Sequence, residues 1–362
     1  MFNKINKLLL LPLRCLVFAF TCTIILTAPV SFAENINKLP QWQYTTLPTT
    51  PSLRGSAVIG NSLWVTGSNN AVFVSQNGGK TWQDKSLAIE LATDFRDIEL
   101  FDANTAIVMG IGSGKDSVLY KTINGGDSWS LLYENQDELG FFDSIAFWDK
   151  NNGLLMGDPV DGYYVIKKTT DGGKTWRRIQ AQNIPKILVN ESAFAASGNS
   201  IIVGEQGKAW FATGGESASI YTSNDFGETW QRHSVPLYNE TSTAGGYSLA
   251  TNHLQQVFII GGDYKQRSSK YANMATFDQE QWRTVDTGQH GLRTAMQCEE
   301  LICIATGKSS NDISFDGGKN WRILANTSAE KNDQGFYTLA SNQGLFLAAG
   351  AKGKVAIYSF RQ

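Results

Sequence analysis

Seven residues along this chain have the types needed to grip or process an acidic group: Arg54, Arg96, Asp143, Glu191, Tyr247, Arg293 and Tyr337. A guanidinium forks onto a carboxylate through two parallel hydrogen bonds, so the three arginines suit the carboxylate of a sugar acid or of a protein partner. A carboxylate next to a tyrosine hydroxyl has the makings of nucleophilic or acid–base chemistry. The plainer expectation is that these groups neutralise one another, for example Arg54 or Arg96 with Asp143. A second charged set, Asp158, Glu205, Asp263 and Lys308, follows at a later equivalent position.

Other candidate chemistry is weaker. Asp158-Pro-Val-Asp161-Gly162 reads as a turn rather than a cation loop. His233, His253 and His290 are scattered and form no ligand cluster, so no metal site is expected. Gly110-Ile-Gly112-Ser-Gly114-Lys115 lacks the following helix that phosphate binding needs. No nucleophile elbow or dinucleotide fingerprint is present, and no cofactor is expected.

The seven positions are equivalent because the chain repeats. The phrase Ser75-Gln-Asn77-Gly-Gly79-Lys-Thr-Trp82 returns at Thr122–Trp129, Thr169–Trp176, Ser223–Trp230 and Ser314–Trp321, with a degenerate copy at Thr276–Trp282. Its Asp or Asn side chain can bond amides of its own turn, its glycine tolerates positive φ, and its Trp can pack between neighbouring sheets. This is the Asp-box pattern, Ser-x-Asp-x-Gly-x-Thr-Trp. Before each box lie two apolar strands, the second ending in glycine: Ser56–Ile59 then Leu63–Gly67, Ile98–Phe101 then Ala106–Gly110, and so on. In the fourth repeat the pair is read as Ala193–Ala195 and the run ending Val203-Gly204, and the seventh runs from Tyr337–Leu339 to Ala349-Gly350.

Each pair plus the strands flanking its box makes a four-stranded unit. The last unit has no box, and Gln41-Trp42-Gln-Tyr44 resembles the strand it lacks. The expectation is an all-β, seven-bladed β-propeller with Asp-box turns, its ring closed by an N-terminal strand. In such a ring the seven site positions begin the innermost strands, at the mouth of the central channel. The boxes lie on the opposite face.

Residues 1–33 read as a secretory signal peptide: Lys4, Lys7 and Arg14, then an apolar stretch, then Ser31-Phe32-Ala33 at the cleavage position. Cleavage near Ala33 leaves one propeller domain, 34–362, in the periplasm or secreted. It holds 28 basic against 33 acidic residues, net −5, which argues against nucleic acid as a partner. No later segment is long and apolar enough to span a bilayer, and a monomer is expected. Cys15 and Cys22 leave with the signal, so Cys298 and Cys303 remain as a structural disulfide pair.

Phe142–Trp148 with Gly157–Gly162, and Glu191–Ser197 with Trp210–Gly215, resemble the photosystem II stability/assembly factor-like propellers. The bacterial branch of that family is often labelled "oxidoreductase". The resemblance covers the whole mature chain. It implies seven blades, a protein partner in the envelope and an arginine-rich face, to which Arg54, Arg96 and Arg293 would correspond. Its oxidoreductase label has no cofactor motif behind it. The leading expectation is thus a non-catalytic binding or assembly factor. The rival is a sialidase-like glycosidase using the arginines, a Tyr–Glu pair and Asp143, although seven blades and the residue order depart from the sialidase pattern.

Overall fold

Each recurring phrase closes the hairpin between the third and fourth strands of a sheet. In the computed structural model, which describes residues 41–267, 272–288, 291–308, 310–324 and 335–361, five copies make one turn. The Ser75 hydroxyl donates to Asn77 Oδ1 (3.0 Å), the Gly79 amide donates to Ser75 Oγ (2.8 Å), and the Thr81 amide donates to Asn77 Oδ1 (2.9 Å). The same three bonds recur around Asn124, Asp171, Asp225 and Asp316. At Asp171 a further bond from the Thr175 hydroxyl (2.6 Å), followed by that from the Thr175 amide, holds the carboxyl at about 2. The side chains are used up inside their own turns. The expected signal segment 1–33 and His290 lie outside the described residues.

The tryptophan of each turn reaches sideways. Among the described residues seven buried apolar clusters sit between adjacent sheets, and each includes one of Trp82, Trp129, Trp176, Trp230, Trp282, Trp321 and Trp42. Trp129, for example, meets Trp64 edge-on at 6.2 Å while its indole N–H donates to the Lys85 carbonyl of the preceding blade. Trp42 does the same job between blades six and seven. Its strand, Gln43–Thr46, pairs antiparallel with Lys354–Ser359 and forms the outer edge of the seventh sheet. The result is a ring of seven antiparallel sheets, a seven-bladed propeller whose last blade is completed by the N-terminal strand.

The innermost strands are Leu53–Ile59, Asp94–Leu100, Phe142–Phe147, Ile201–Val203, Ala244–Thr251, Arg293–Glu299 and Phe336–Asn342. Six of them start with a β-bulge against the end of the second strand. The second strand ends there in glycine because the incoming backbone comes too close for a side chain. A Cβ on Gly67 would lie 2.2 Å from the Ser52 carbonyl oxygen, and one on Gly261 would lie 1.7 Å from that of Gly245. Cys298 and Cys303 face each other across the blade-six hairpin and are joined as a disulfide.

Blade four departs from the expected reading. Ile201–Val203 is its first strand and Ala209–Ala212 its second, so Gly204 stands in the turn between them rather than ending the second. Ala193–Ala195 is no strand of this blade; residues 193–200 leave the wall and cross the channel. Ala195 O accepts from Arg96 Nη1 (2.9 Å), Gly198 O from the Ser144 hydroxyl (2.9 Å) and Ser197 O from the Thr338 hydroxyl (3.2 Å). Asn199 O accepts the Leu249 amide at 2.8 Å. Blades two, three, five and seven are thus tied together through one crossing segment, which divides the channel into an upper and a lower cavity.

Beneath the crossing, Asp97 accepts the Ser144 hydroxyl and the amides of Ile98 and Ile145. Burial outweighs those bonds and pushes its carboxyl up to about 7, and Glu99 on the same strand is raised as well. An unfolded Asp titrates near 4. Between about pH 4 and 7 the native state therefore binds a proton that the unfolded chain has released, and stability falls as pH rises. Asp97→Asn should make that decline shallower in urea titrations across this range. A slope identical to wild type would show that Asp97 does not carry it. Separately, Gly67→Ala should lower stability by roughly 1–3 kcal/mol, since backbone must move to admit the methyl group; equal urea midpoints would refute the close approach.

Candidate functional site

A bulge places two residues of one strand opposite one residue of its partner, and the extra residue is turned out of the ladder. The extra residues here are Arg54, Arg96, Asp143, Tyr247, Thr294 and Tyr337. All six line one cavity of about 370 Å³ at the upper mouth of the channel. The crossing segment Ala193–Ala196 stands where the missing bulge of blade four would be. That volume suits a small ligand or a short stretch of chain.

Five of the seven positions expected from the sequence therefore converge, and two do not. Arg293 is in register with Gly307, one residue before the bulge, at the position held by buried Leu53, Phe95, Phe142 and Phe336 in other blades. In a strand, a slip of one residue sends the side chain to the opposite face. The Arg293 guanidinium is fully buried inside blade six, where Nε meets Asp312 Oδ2 at 2.6 Å and Nη2 donates to the Ser310 hydroxyl. Thr294 takes the cavity position instead. Glu191 is also buried and does not line the cavity. It accepts the Thr213 hydroxyl (2.6 Å), the Tyr221 hydroxyl (3.1 Å) and the Leu188 amide (2.8 Å). Its short strand, Glu191–Ser192, extends the sheet of blade five. Both displacements trace to the sequence alignment on glycine, which is one residue out in blade six and one strand out in blade four.

The second charged set splits the same way. Asp158 and Lys308 line the cavity. Glu205 lies exposed in the first turn of blade four, and Asp263 is buried under the hydroxyls of Thr241 and Thr243. Phe194 and Arg267, which the repeat pattern could not flag, complete the walls. Phe194 stacks on Tyr247 at 4.4 Å between ring centres.

The cavity is electrostatically two-sided. On one side the Arg54 guanidinium lies 4.1 Å above the Tyr337 ring, and Lys308 Nζ is 4.7 Å from the same ring. Burial, followed by the charge of Arg96 and more weakly that of Arg267, lowers the Arg54 pKa. Arg96 pairs with Asp94 at 2.9 Å rather than with Asp143. On the other side sit Asp143 and Asp158. Burial raises both carboxyls, and the neighbouring Asp158 charge raises Asp143 further; the Arg96 charge opposes this only in part, and Asp143 stays well above the ordinary carboxylate range. Among the described residues no group of three or more His, Cys, Asp or Glu could hold a metal ion, and no helix is long and apolar enough to cross a membrane.

The burial of Arg293 has a measurable consequence. Arg293→Met leaves Asp312 charged and unpaired in the interior and should cost about 3–5 kcal/mol of stability, whatever the protein binds. A loss below about 1 kcal/mol in denaturant titration would contradict the buried pair.

Solved structures with this architecture include YCF48 bound to D1 peptide, at 17% identity over 89% of this chain and 98% of the other, with a TM-score of 0.65. YCF48 from Cyanidioschyzon merolae gives 17% identity, 88% and 99% coverage and a TM-score of 0.64. Virginiamycin B lyase from Staphylococcus aureus gives 10% identity, 89% and 99% coverage and 0.63. At these identities the likeness is one of fold. No curated protein matches the chain in sequence. The profile of the DUF6242 beta propeller domain matches residues 14–287, three quarters of the length, and together with seven closed blades it identifies the chain as a member of the DUF6242 beta-propeller family.

Proposed function

We propose that this propeller is a non-catalytic binding platform, an exported assembly or stability factor that grips an acidic segment of a protein partner at the upper cavity. The observation that carries this reading is Arg54. Its guanidinium is half-buried among other cations, and among the described residues it makes no ion pair. The nearby Asp94 charge eases its burial only in part, being paired with Arg96, and an incoming carboxylate would relieve the rest with two directed hydrogen bonds. The peptide in the YCF48 complex, a protein of the same fold, supports the choice of a protein ligand. The resemblance to photosystem II assembly factors supports the same choice.

Export rests on the sequence of residues 1–33, and the Cys298–Cys303 disulfide agrees with an oxidising compartment. The recurring turns are read as Asp-box turns serving the fold alone. The glycosidase reading is set aside because its Tyr–Glu pair is not assembled in the cavity. The carboxylate of Glu191 is committed to Thr213, Tyr221 and Leu188 inside the wall.

The test is affinity capture from a detergent-treated envelope extract. The baits are the mature protein and a double variant, Arg54→Ala with Arg96→Ala. A partner enriched by wild type and lost with the variant is the expected result. Equal recovery on both baits would place the interaction elsewhere on the molecule.

A further inference from the structure

We propose that the acidic side of the upper cavity holds a primary ammonium group, so that the ligand presents a lysine side chain or a free amine together with its acidic group. This rests on the reading of Arg54 as an anion site and adds the second half of the recognition. Asp143 is the bulge residue of blade three, and Asp158 follows Gly157 on the paired strand, its amide bonded to the Phe141 carbonyl at 3.0 Å. Both residues therefore line the same cavity from one hairpin. Asp143 is only 2% exposed, and its Oδ2 has no hydrogen-bond partner. A buried carboxylate oxygen without a donor is rare in folded proteins, and at the wall of a cavity it points to a missing ligand group.

The surroundings do not supply that donor. Arg96, the cation contributed by blade two, is committed to Asp94 and to the Ala195 carbonyl. Tyr164, from the third strand of blade three, is buried with its hydroxyl unpartnered, and its pKa is raised by burial, then by Glu191, Tyr221, Asp143 and Asp158. Burial and the Asp158 charge favour a proton retained on Asp143, which eases the repulsion between the two carboxyls. An ammonium replaces that proton well: it is compact, carries a full charge and has three donors to divide between two carboxylates. The stacked rings of Phe194 and Tyr247 give the floor an apolar surface for the methylene stem. Arg54 and the acid pair then read opposite charges on one ligand, which excludes segments that are simply acidic.

Fluorescently labelled short peptides in matched sets test this by anisotropy: glutamate only, lysine only, both, and neither. Peptides with both charges should bind wild type about tenfold tighter than glutamate-only ones, the size of one charge-assisted hydrogen bond. Acetylating the lysine should remove that advantage. Asp143→Asn, and independently the less buried Asp158→Asn, should remove it without weakening the glutamate-only set. The advantage should grow as pH rises, because both carboxyls are raised and hold the ammonium only once they have lost their protons. Equal affinity of the two sets, or an advantage that survives acetylation, overturns the inference, and loss of glutamate-only binding in Arg54→Ala would leave the anion site standing. Failure of every set to bind wild type overturns both.

Discussion

The backbone bulge at the entrance of each inner strand is the constraint on which the site depends. A glycine on the second strand lets the incoming chain pack against bare backbone, as the Ser52 carbonyl does on Gly67 and the Thr93 side chain on Gly110. One extra residue is then left over, and its side chain cannot join either face of the sheet. Six blades repeat the device, so six unrelated side chains are delivered to one cavity by a feature that does not depend on what they are. The fold supplies the positions and leaves their chemistry free, which is how one architecture can host unrelated functions.

Blade four breaks the repeat and gains a floor. A continuous channel would leave Arg54, Arg96 and Asp143 facing bulk water, where charges are screened and ion pairs are weak. Crossing the channel with residues 193–200 excludes solvent from below and sets Phe194 against Tyr247. The crossing satisfies its own backbone by borrowing donors from distant blades: the Arg96 guanidinium, the hydroxyls of Ser144 and Thr338, and the Leu249 amide. A segment with no strand partner can stay buried only if such groups are found for it.

Rigidity around this site comes from the blade interfaces. Six are apolar clusters that take a tryptophan from the turn or fourth strand of a blade, and burial of a side chain that large dominates the local packing. Trp42 extends the pattern to the blade without a turn phrase, so the chain ends are held by the same interaction as every other junction. The charged cavity on one face and the tryptophan turns on the other are thereby separated: the turn carboxylates of Asp171, Asp225 and Asp316 are consumed locally and contribute nothing to the mouth.

The repeats themselves determined the ring. Turn phrases, paired apolar strands and the stray Gln41–Tyr44 segment were enough to count seven blades and place the closure, because local hydrogen bonding and strand alternation are written in short windows. Arg54, Arg96, Asp143, Tyr247 and Tyr337 were legible for the same reason, each lying near the start of its inner strand. Tertiary structure alone decided the rest. A period-two strand turns a one-residue slip into a change of face, so Arg293 could be assigned to the interior only by its pairing with Asp312. Likewise, Ala193–Ala195 reads as one more apolar strand, and only the hydrogen bonds of 193–200 to four other blades show that this segment crosses the channel. The partnerless oxygen of Asp143 is likewise invisible in sequence, since whether a buried group finds a donor depends on every neighbour the fold brings to it.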